Sequence, residues 1–239
     1  MKKLTLLLLA LLYVTLTYAY TERDLLQKQA DINRLKEILV LDRQWVTYPD
    51  YNDRAGWDRF LGTFKDEYIR RGEKRLNYQW QVVKATDYLA FERTGNRQIM
   101  EKPFGANNGA IADLLMAELA EGKGRFVDQL INGVFNACEM TSWALAAHII
   151  VQPSHRALPA YDYPVIDLTS GDLGGLLAWT YHFMRPSFDK VDPEISRRLR
   201  HELQTRILDP YMNNDSFWWM GRNYNGRMLN NWNPWCNRS

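Results

Sequence analysis

The spacing of the apolar residues restricts the fold more than any other feature, because it follows a helical period through nearly the whole chain. In residues 21–41 apolar side chains recur every three or four positions with charged residues between them, as on an amphipathic helix. The same spacing predicts a second helix from Trp57 to Tyr68 and, after an interruption at Gly72, a third over 76–89. We find no convincing alternation of apolar and polar residues, so the sequence predicts an all-α fold.

Glycine, proline and polar residues mark where the predicted helices end. The predicted loops are residues 42–56, 94–106 and 152–169, and two further helices are predicted over 107–121 and 125–150. Six or seven helices joined by loops of varied length are too many for a four-helix bundle and favour a double layer of helix hairpins.

Capping residues predict where the last two long helices begin and end. Ser170 or Asp172 is a suitable cap for a helix that we expect to end at Pro186. Pro193 follows an aspartate and predicts the start of a further helix through Leu208, because proline is favoured at the first helical position.

The first 19 residues have the pattern of a secretory signal peptide. Lys2 and Lys3 precede an apolar run of 13 residues, 4–16, and Ala19 supplies a small residue for cleavage. The run is shorter than the roughly 20 residues that a membrane-spanning helix needs. We therefore predict an exported protein, periplasmic or extracellular, with no stable membrane span after cleavage and with residues 20–239 as the folded part.

The charge balance argues against a nucleic-acid partner. The chain carries 30 lysine and arginine residues against 28 aspartate and glutamate residues, a net charge of +2. Cleavage of the leader removes two lysines and no acid, which leaves 28 residues of each sign. This balance does not support a broadly basic face, so a polyanionic ligand would require a local basic cleft.

The two cysteines, Cys138 and Cys236, lie far apart in the sequence. Export would permit a disulfide between them, and two buried free thiols are the alternative, which the sequence leaves open. Ligand spacings such as CxxC or HExxH are absent, so we predict no metal site.

The carboxyl-terminal segment 216–239 is dense in aromatic rings and amides. Its 24 positions hold six aromatic residues, six asparagines and three arginines. An indole face suits the apolar C–H face of a sugar, asparagine both donates and accepts hydrogen bonds, and arginine pairs with a carboxylate through two hydrogen bonds. The segment predicts a saccharide-binding surface, and the alternative is an ordinary core with asparagines in turns.

The run NNWNPWCN, residues 230–237, resembles the heparinase II/III-like family of polysaccharide lyases. Three further segments resemble the family in the same order along the chain: 139–148 (EMTSWALAAH), 169–181 (TSGDLGGLLAWTY) and 215–219 (DSFWW). The resemblance covers most of residues 54–239 and implies an incomplete (α/α) toroid. Lyases of this family are much longer and continue into a β-sandwich domain, so we expect this chain to be an amino-terminal portion that lacks the later catalytic tyrosine and histidine. On that interpretation the full-length protein is a polysaccharide lyase and this portion alone is inactive.

The resemblance also implies β-elimination on uronic-acid-containing polysaccharides, with no metal or organic cofactor. A base removes the C5 proton, and another group must neutralise the neighbouring carboxylate. By its position in the motif, Asn231 is the predicted neutralising group and Asn233 the second candidate for that catalytic role. Related toroid lyases often place a histidine where this chain has Trp232.

Further residues are predicted to bind the acidic polysaccharide. They lie in the carboxyl-terminal segment and on the predicted helix 125–150: Trp218, Trp219, Arg222, Trp232 and Trp235, and Glu139, Trp143 and His148. On an unbroken helix Glu139 and Trp143 share a face, whereas His148 lies about 180° away from Glu139. A break near Thr141-Ser142 would change that relation.

Two other functions remain open on the sequence alone. The same aromatic surface would serve a carbohydrate-binding toroid without turnover. A glycoside hydrolase on a similar toroid would need two carboxylates about 5–9.5 Å apart across one cleft, and the candidates around one loop are Asp162, Asp167 and Asp172.

Overall fold

The computed structural model describes residues 28–39, 46–214, 217–220 and 231–238. The side chains of residues 237 and 238 are not described. These ranges are mostly helical and contain no strand, which confirms the predicted all-α class. None of their helices combines the length and hydropathy that a membrane crossing requires. The predicted leader and Arg222 lie outside the described residues.

The helices are numbered here in chain order. They are α1 Ile32–Ile38, α2 Arg54–Leu61, α3 Lys65–Glu73, α4 Ala85–Thr94, α5 Gln98–Glu121, α6 Val127–Glu139, α7 Ala146–Ile149, α8 Leu168–Val191, α9 Pro193–Leu203, α10 Asp209–Asn213 and α11 Trp232–Arg238. A 3₁₀ turn, Gly62–Phe64, joins α2 to α3; a π-helical turn, Gln204–Leu208, joins α9 to α10; and a second 3₁₀ turn spans Trp218–Met220.

Two helices of 24 residues each, α5 and α8, organise the core. Helix α5 packs against α2, α3, α4 and α6, and α8 packs against α6, α9 and α11. The side chains between them include Ile111, Leu114, Leu130 and Leu177, none of which is exposed. Burial of one such side chain stabilises the fold by about 1.5–3 kcal/mol.

The predicted interruption at Gly72 is confirmed to within one residue, because α3 ends at Glu73. A Cβ added to Gly72 would lie 2.2 Å from the Ala117 Cβ of α5. The glycine therefore allows α3 and α5 to approach closely.

The helix predicted over 76–89 is wrong in its first part, since α4 begins only at Ala85. The preceding residues pack on the core in an extended path, which the buried amide of Asn107 holds. Asn107 Oδ1 accepts from the Gln81 N–H at 3.0 Å, and its Nδ2 donates to the Gln81 carbonyl at 2.8 Å. These side-chain bonds replace helical ones for the Gln81 backbone.

Two prolines that we expected in a loop or at a helix end lie within helices, Pro103 in α5 and Pro186 in α8. Each lacks the N–H that would bond to the carbonyl four residues earlier, at Ile99 and His182. Both of those residues are exposed, so water can solvate the orphaned carbonyls. The start at Pro193 is confirmed, with Asp192 capping α9.

Cys138 and Cys236 are both buried and free. Burial raises the pKa of each thiol to about 12. The structure therefore shows the alternative of two buried thiols rather than a disulfide.

Candidate functional site

The helix predicted over 125–150 is broken, and the break places His148. Helix α6 ends at Glu139, the chain turns through residues 140–145, and the short helix α7 follows. Trp143 fixes this turn from inside the protein, since it is buried and its Nε1 donates to the Ala137 carbonyl at 2.8 Å.

Asp167 is the N-cap residue of α8, in place of the predicted Ser170 or Asp172. Its Oδ1 accepts from the Ser170 N–H at 2.7 Å, and the Ser170 hydroxyl accepts from the Asp167 N–H at 2.7 Å. This reciprocal pair is a capping box. The Asp167 side chain is fully buried, so its orientation is set by the start of a long helix.

The second oxygen of Asp167 orients His148. Oδ2 lies 2.5 Å from His148 Nδ1 and also accepts from the Leu145 N–H at 3.1 Å. Because a carboxylate oxygen only accepts, Nδ1 carries the hydrogen and Nε2 is left as the acceptor of the neutral ring. This arrangement fixes both the tautomer and the direction of the imidazole, as in sites where histidine transfers a proton.

Arg97 approaches the other side of the imidazole. Gly95 ends α4 with a left-handed φ of 73°, and the chain turns at once into α5, whose cap is Arg97. Arg97 Nη2 lies 3.4 Å from His148 Nε2, and Arg97 Nε donates to Glu101 Oε1 at 2.6 Å. A cation therefore lies beside the free nitrogen of the ring.

One tryptophan ring lies edge-on against the imidazole, and a second tryptophan packs on the first. The Trp232 ring lies 4.6 Å from the His148 ring between centroids, and the Trp218 ring lies 5.1 Å from Trp232. Both tryptophans are half-buried. Among the residues that the structure describes, none pairs with the Nε1 of Trp218, which is buried.

The two predicted catalytic asparagines have different environments. Asn231 is exposed at the start of α11, directly before Trp232. Asn233 is half-buried, and its Nδ2 donates to the Trp219 carbonyl at 3.1 Å. The exposed amide is free of that structural contact, which favours Asn231 over Asn233 for contact with a ligand.

Two of the predicted substrate-binding tryptophans lie in the interior instead. Trp219 is 1% exposed, stacks on Phe217 at 5.5 Å and donates from Nε1 to the Ile166 carbonyl at 2.9 Å. Trp143 is 2% exposed, and the Arg206 guanidinium covers its ring. In this structure neither presents a face for a sugar, because each fills a core and satisfies its own N–H.

The remaining predicted residues are dispersed. Glu139 is exposed and pairs with Arg198 at 3.4 Å, so the helix break does not join it to His148. Trp235 is exposed on α11. We call the residues that the structure does bring together the His148 site: Arg97, His148, Asp167, Trp218 and Trp232. Asn231 directly precedes Trp232 in the chain.

Sequence reasoning did not assign Arg97 to any site and weighed Asp167 only as a hydrolase acid. The spacing of Asp167 and Ser170, three residues apart before an apolar run, is a capping signal that could have located Asp167. The contact of Arg97 with His148 joins residues 51 positions apart, and no local pattern indicates it. Because Asp167 caps α8 and holds His148, it is not placed as one of two carboxylates facing a glycosidic bond.

No group of metal-ligating side chains that could hold an ion occurs among the described residues. No protein-family model matches the chain, and no curated protein matches it either.

Proposed function

We propose that this protein is an exported polysaccharide lyase that acts on uronic-acid-containing glycans by β-elimination, on an incomplete (α/α) toroid. The observation that carries the proposal is His148, which the buried carboxylate of Asp167 holds with Nε2 as the acceptor, beside the packed pair of Trp232 and Trp218. The resemblance of the NNWNPWCN run to heparinase II/III-like lyases points to the same chemistry.

The site offers each part that the elimination needs. Trp232 and Trp218, which are both half-buried, supply apolar surface for a sugar ring. Asn231 directly precedes Trp232 and supplies an exposed amide for the carboxylate. His148 Nε2 is the group for the C5 proton, because its lone pair points away from Asp167. The proposal thus assigns the base to His148 of this chain instead of the later tyrosine or histidine that the family resemblance implies.

The proposal is tested by incubating the chain with alginate, heparan sulfate and other uronate polymers and following the ultraviolet absorbance of the unsaturated product. Binding is measured in parallel by calorimetry. We expect product from at least one uronate polymer and from no carboxyl-reduced polymer. Absence of both binding and product for every polymer would contradict the proposal, whereas binding without product would favour a carbohydrate-binding protein without turnover.

Trp232→Ala tests whether the tryptophan pair binds the sugar. Tyr161→Ala is the matched control, since Tyr161 is a 93% exposed aromatic residue outside the His148 site. Loss of one ring–sugar contact is expected to cost about 1 kcal/mol, by analogy with aromatic pairs, and hence about fivefold in affinity. Equal affinity of the two variants would remove Trp232 from the binding surface.

A further inference from the structure

The Arg97 guanidinium occupies the nitrogen of His148 that the proposed chemistry needs. With the Nδ1 hydrogen held by Asp167, Nε2 is an acceptor, and Arg97 Nη2 donates to it at 3.4 Å. While this bond exists, the lone pair is engaged and cannot take a proton from carbon. The protein without substrate therefore holds its own base in an unreactive contact.

Arg97 is free to leave that contact. Its side chain is 45% exposed, and its other partner, Glu101, lies one helical turn along α5. An exposed ion pair of this kind is weak, because water screens both charges. The contact with Nε2 is also long for a hydrogen bond. A ligand carboxylate that offers two oxygens to the guanidinium can compete with both partners.

We propose that Arg97 is a specificity-determining residue that releases the His148 base only for an acidic sugar. The carboxylate of a uronate at the His148 site draws the Arg97 guanidinium away from Nε2, and the same pairing neutralises the carboxylate. A neutral sugar provides no such partner and leaves Nε2 occupied. This inference rests on the proposed function and adds to it the group that recognises the acid.

In this step His148 both takes a proton from the sugar and returns one to it. Nε2 takes the C5 proton, the C5–H electron pair forms the C4=C5 double bond, and the bond from C4 to the glycosidic oxygen breaks. The leaving oxygen then receives a proton from the imidazolium, which returns His148 to its neutral form. Arg97 transfers no proton in these steps and stabilises the charge that develops on the carboxylate.

A purely structural role for Arg97 is the competing explanation, and the chain offers a matched control. Arg185 pairs with Asp189 four residues on, at 3.4 Å, with a side chain that is 59% exposed. Arg185→Gln thus removes a comparable surface ion pair from α8 without touching an imidazole. Arg97→Gln removes the charge but keeps a donor of similar reach, and Arg97→Lys keeps the charge without the planar fork.

The experiment measures the affinity of each variant for an oligouronate and for the same oligosaccharide with its carboxyl groups reduced. The wild type and Arg185→Gln are expected to prefer the acid. In Arg97→Gln the acid is expected to bind about tenfold more weakly or worse, as for loss of a charged hydrogen-bond pair, with unchanged affinity for the reduced form. Arg97→Lys is expected to keep part of the preference.

The second readout is the ¹⁵N chemical shift of His148 Nε2, which is assigned by its loss in His148→Gln and does not depend on turnover. In the wild type the oligouronate is expected to shift this signal, and the reduced form is expected to leave it unchanged. In Arg97→Gln the signal is expected to be displaced before any ligand is added.

Three results would overturn the inference. An acid preference that survives Arg97→Gln, or an Nε2 signal that Arg97→Gln leaves in place, would contradict this inference while leaving the proposed function intact. Failure of the wild type to bind either oligosaccharide would overturn the proposed function together with it.

Discussion

Replacement of Asp167 by alanine is expected to destabilise the protein far more than loss of an ordinary helix cap. The substitution removes the cap of α8, worth about 1 kcal/mol. It also leaves the Leu145 N–H without an acceptor, at about 1–3 kcal/mol, and removes a hydrogen bond to a charged group from His148, at about 1.5–3 kcal/mol. Together these contributions amount to about 3.5–7 kcal/mol, and we expect a loss near the lower end of that range, as for breaking other buried charged contacts.

Asp192 provides the comparison, because it is an exposed cap whose side chain accepts from the Glu194 N–H at 2.8 Å. Asp192→Ala is expected to cost about 1 kcal/mol. Asp167→Asn keeps an oxygen for the Ser170 N–H but replaces the one that accepts from His148 and the Leu145 N–H. Its loss of stability is therefore expected to lie between those of the two alanine variants.

Urea unfolding followed by tryptophan fluorescence gives the free energy of unfolding of each variant, with the denaturant slope as a check on the unfolded state. Equal losses for Asp167→Ala and Asp192→Ala would refute the reasoning, because they would show that the contacts of Asp167 with Leu145 and His148 contribute nothing beyond the cap.

Two further predictions concern packing and pH. Gly72→Ala is expected to lower the free energy of unfolding by about 1–3 kcal/mol, because its Cβ would meet Ala117 at 2.2 Å. Gly105→Ala, on the open side of α5, should be neutral or stabilising by up to about 1 kcal/mol. Equal melting temperatures of the two variants would contradict the close approach of α3 and α5. Burial raises the thiol pKa values of Cys138 and Cys236 from 9.0 to about 12, so their contribution to stability is complete below pH 9 and falls as the pH rises towards 12. A cysteine-free variant, Cys138→Ala/Cys236→Ala, should lose less stability over that interval, and an identical alkaline slope would be inconsistent with buried thiols.

The periodicity of the sequence was sufficient to predict the fold class, because an amphipathic helix has a recognisable apolar spacing within its own segment. It failed where side chains from distant helices decide the backbone, as at Asn107, which holds Gln81 out of a helix. It also failed at Pro103 and Pro186, where the sequence does not show that the residues four positions earlier, Ile99 and His182, are exposed. Only the folded structure shows that Gly72 serves a close helix contact.

For the site, composition could not distinguish the single tryptophans of the carboxyl-terminal segment. Trp218, Trp219 and Trp232 look alike in the sequence, yet Trp219 fills a core, Trp232 lies edge-on against His148, and Trp218 packs on Trp232. The histidine was found from the sequence, but its partners were not, because Asp167 and Arg97 reach it across long stretches of chain. Such contacts leave no spacing in the sequence.

The most direct test of the account compares His148→Gln with His201→Gln, an exposed histidine on α9, for formation of the unsaturated product from a uronate polymer that the wild type cleaves. The account predicts that His148→Gln binds the polymer but loses at least about a hundredfold in rate, as expected for removal of a positioned base, while His201→Gln keeps the wild-type rate. Wild-type turnover by His148→Gln would contradict the claim that the imidazole held by Asp167 removes the proton.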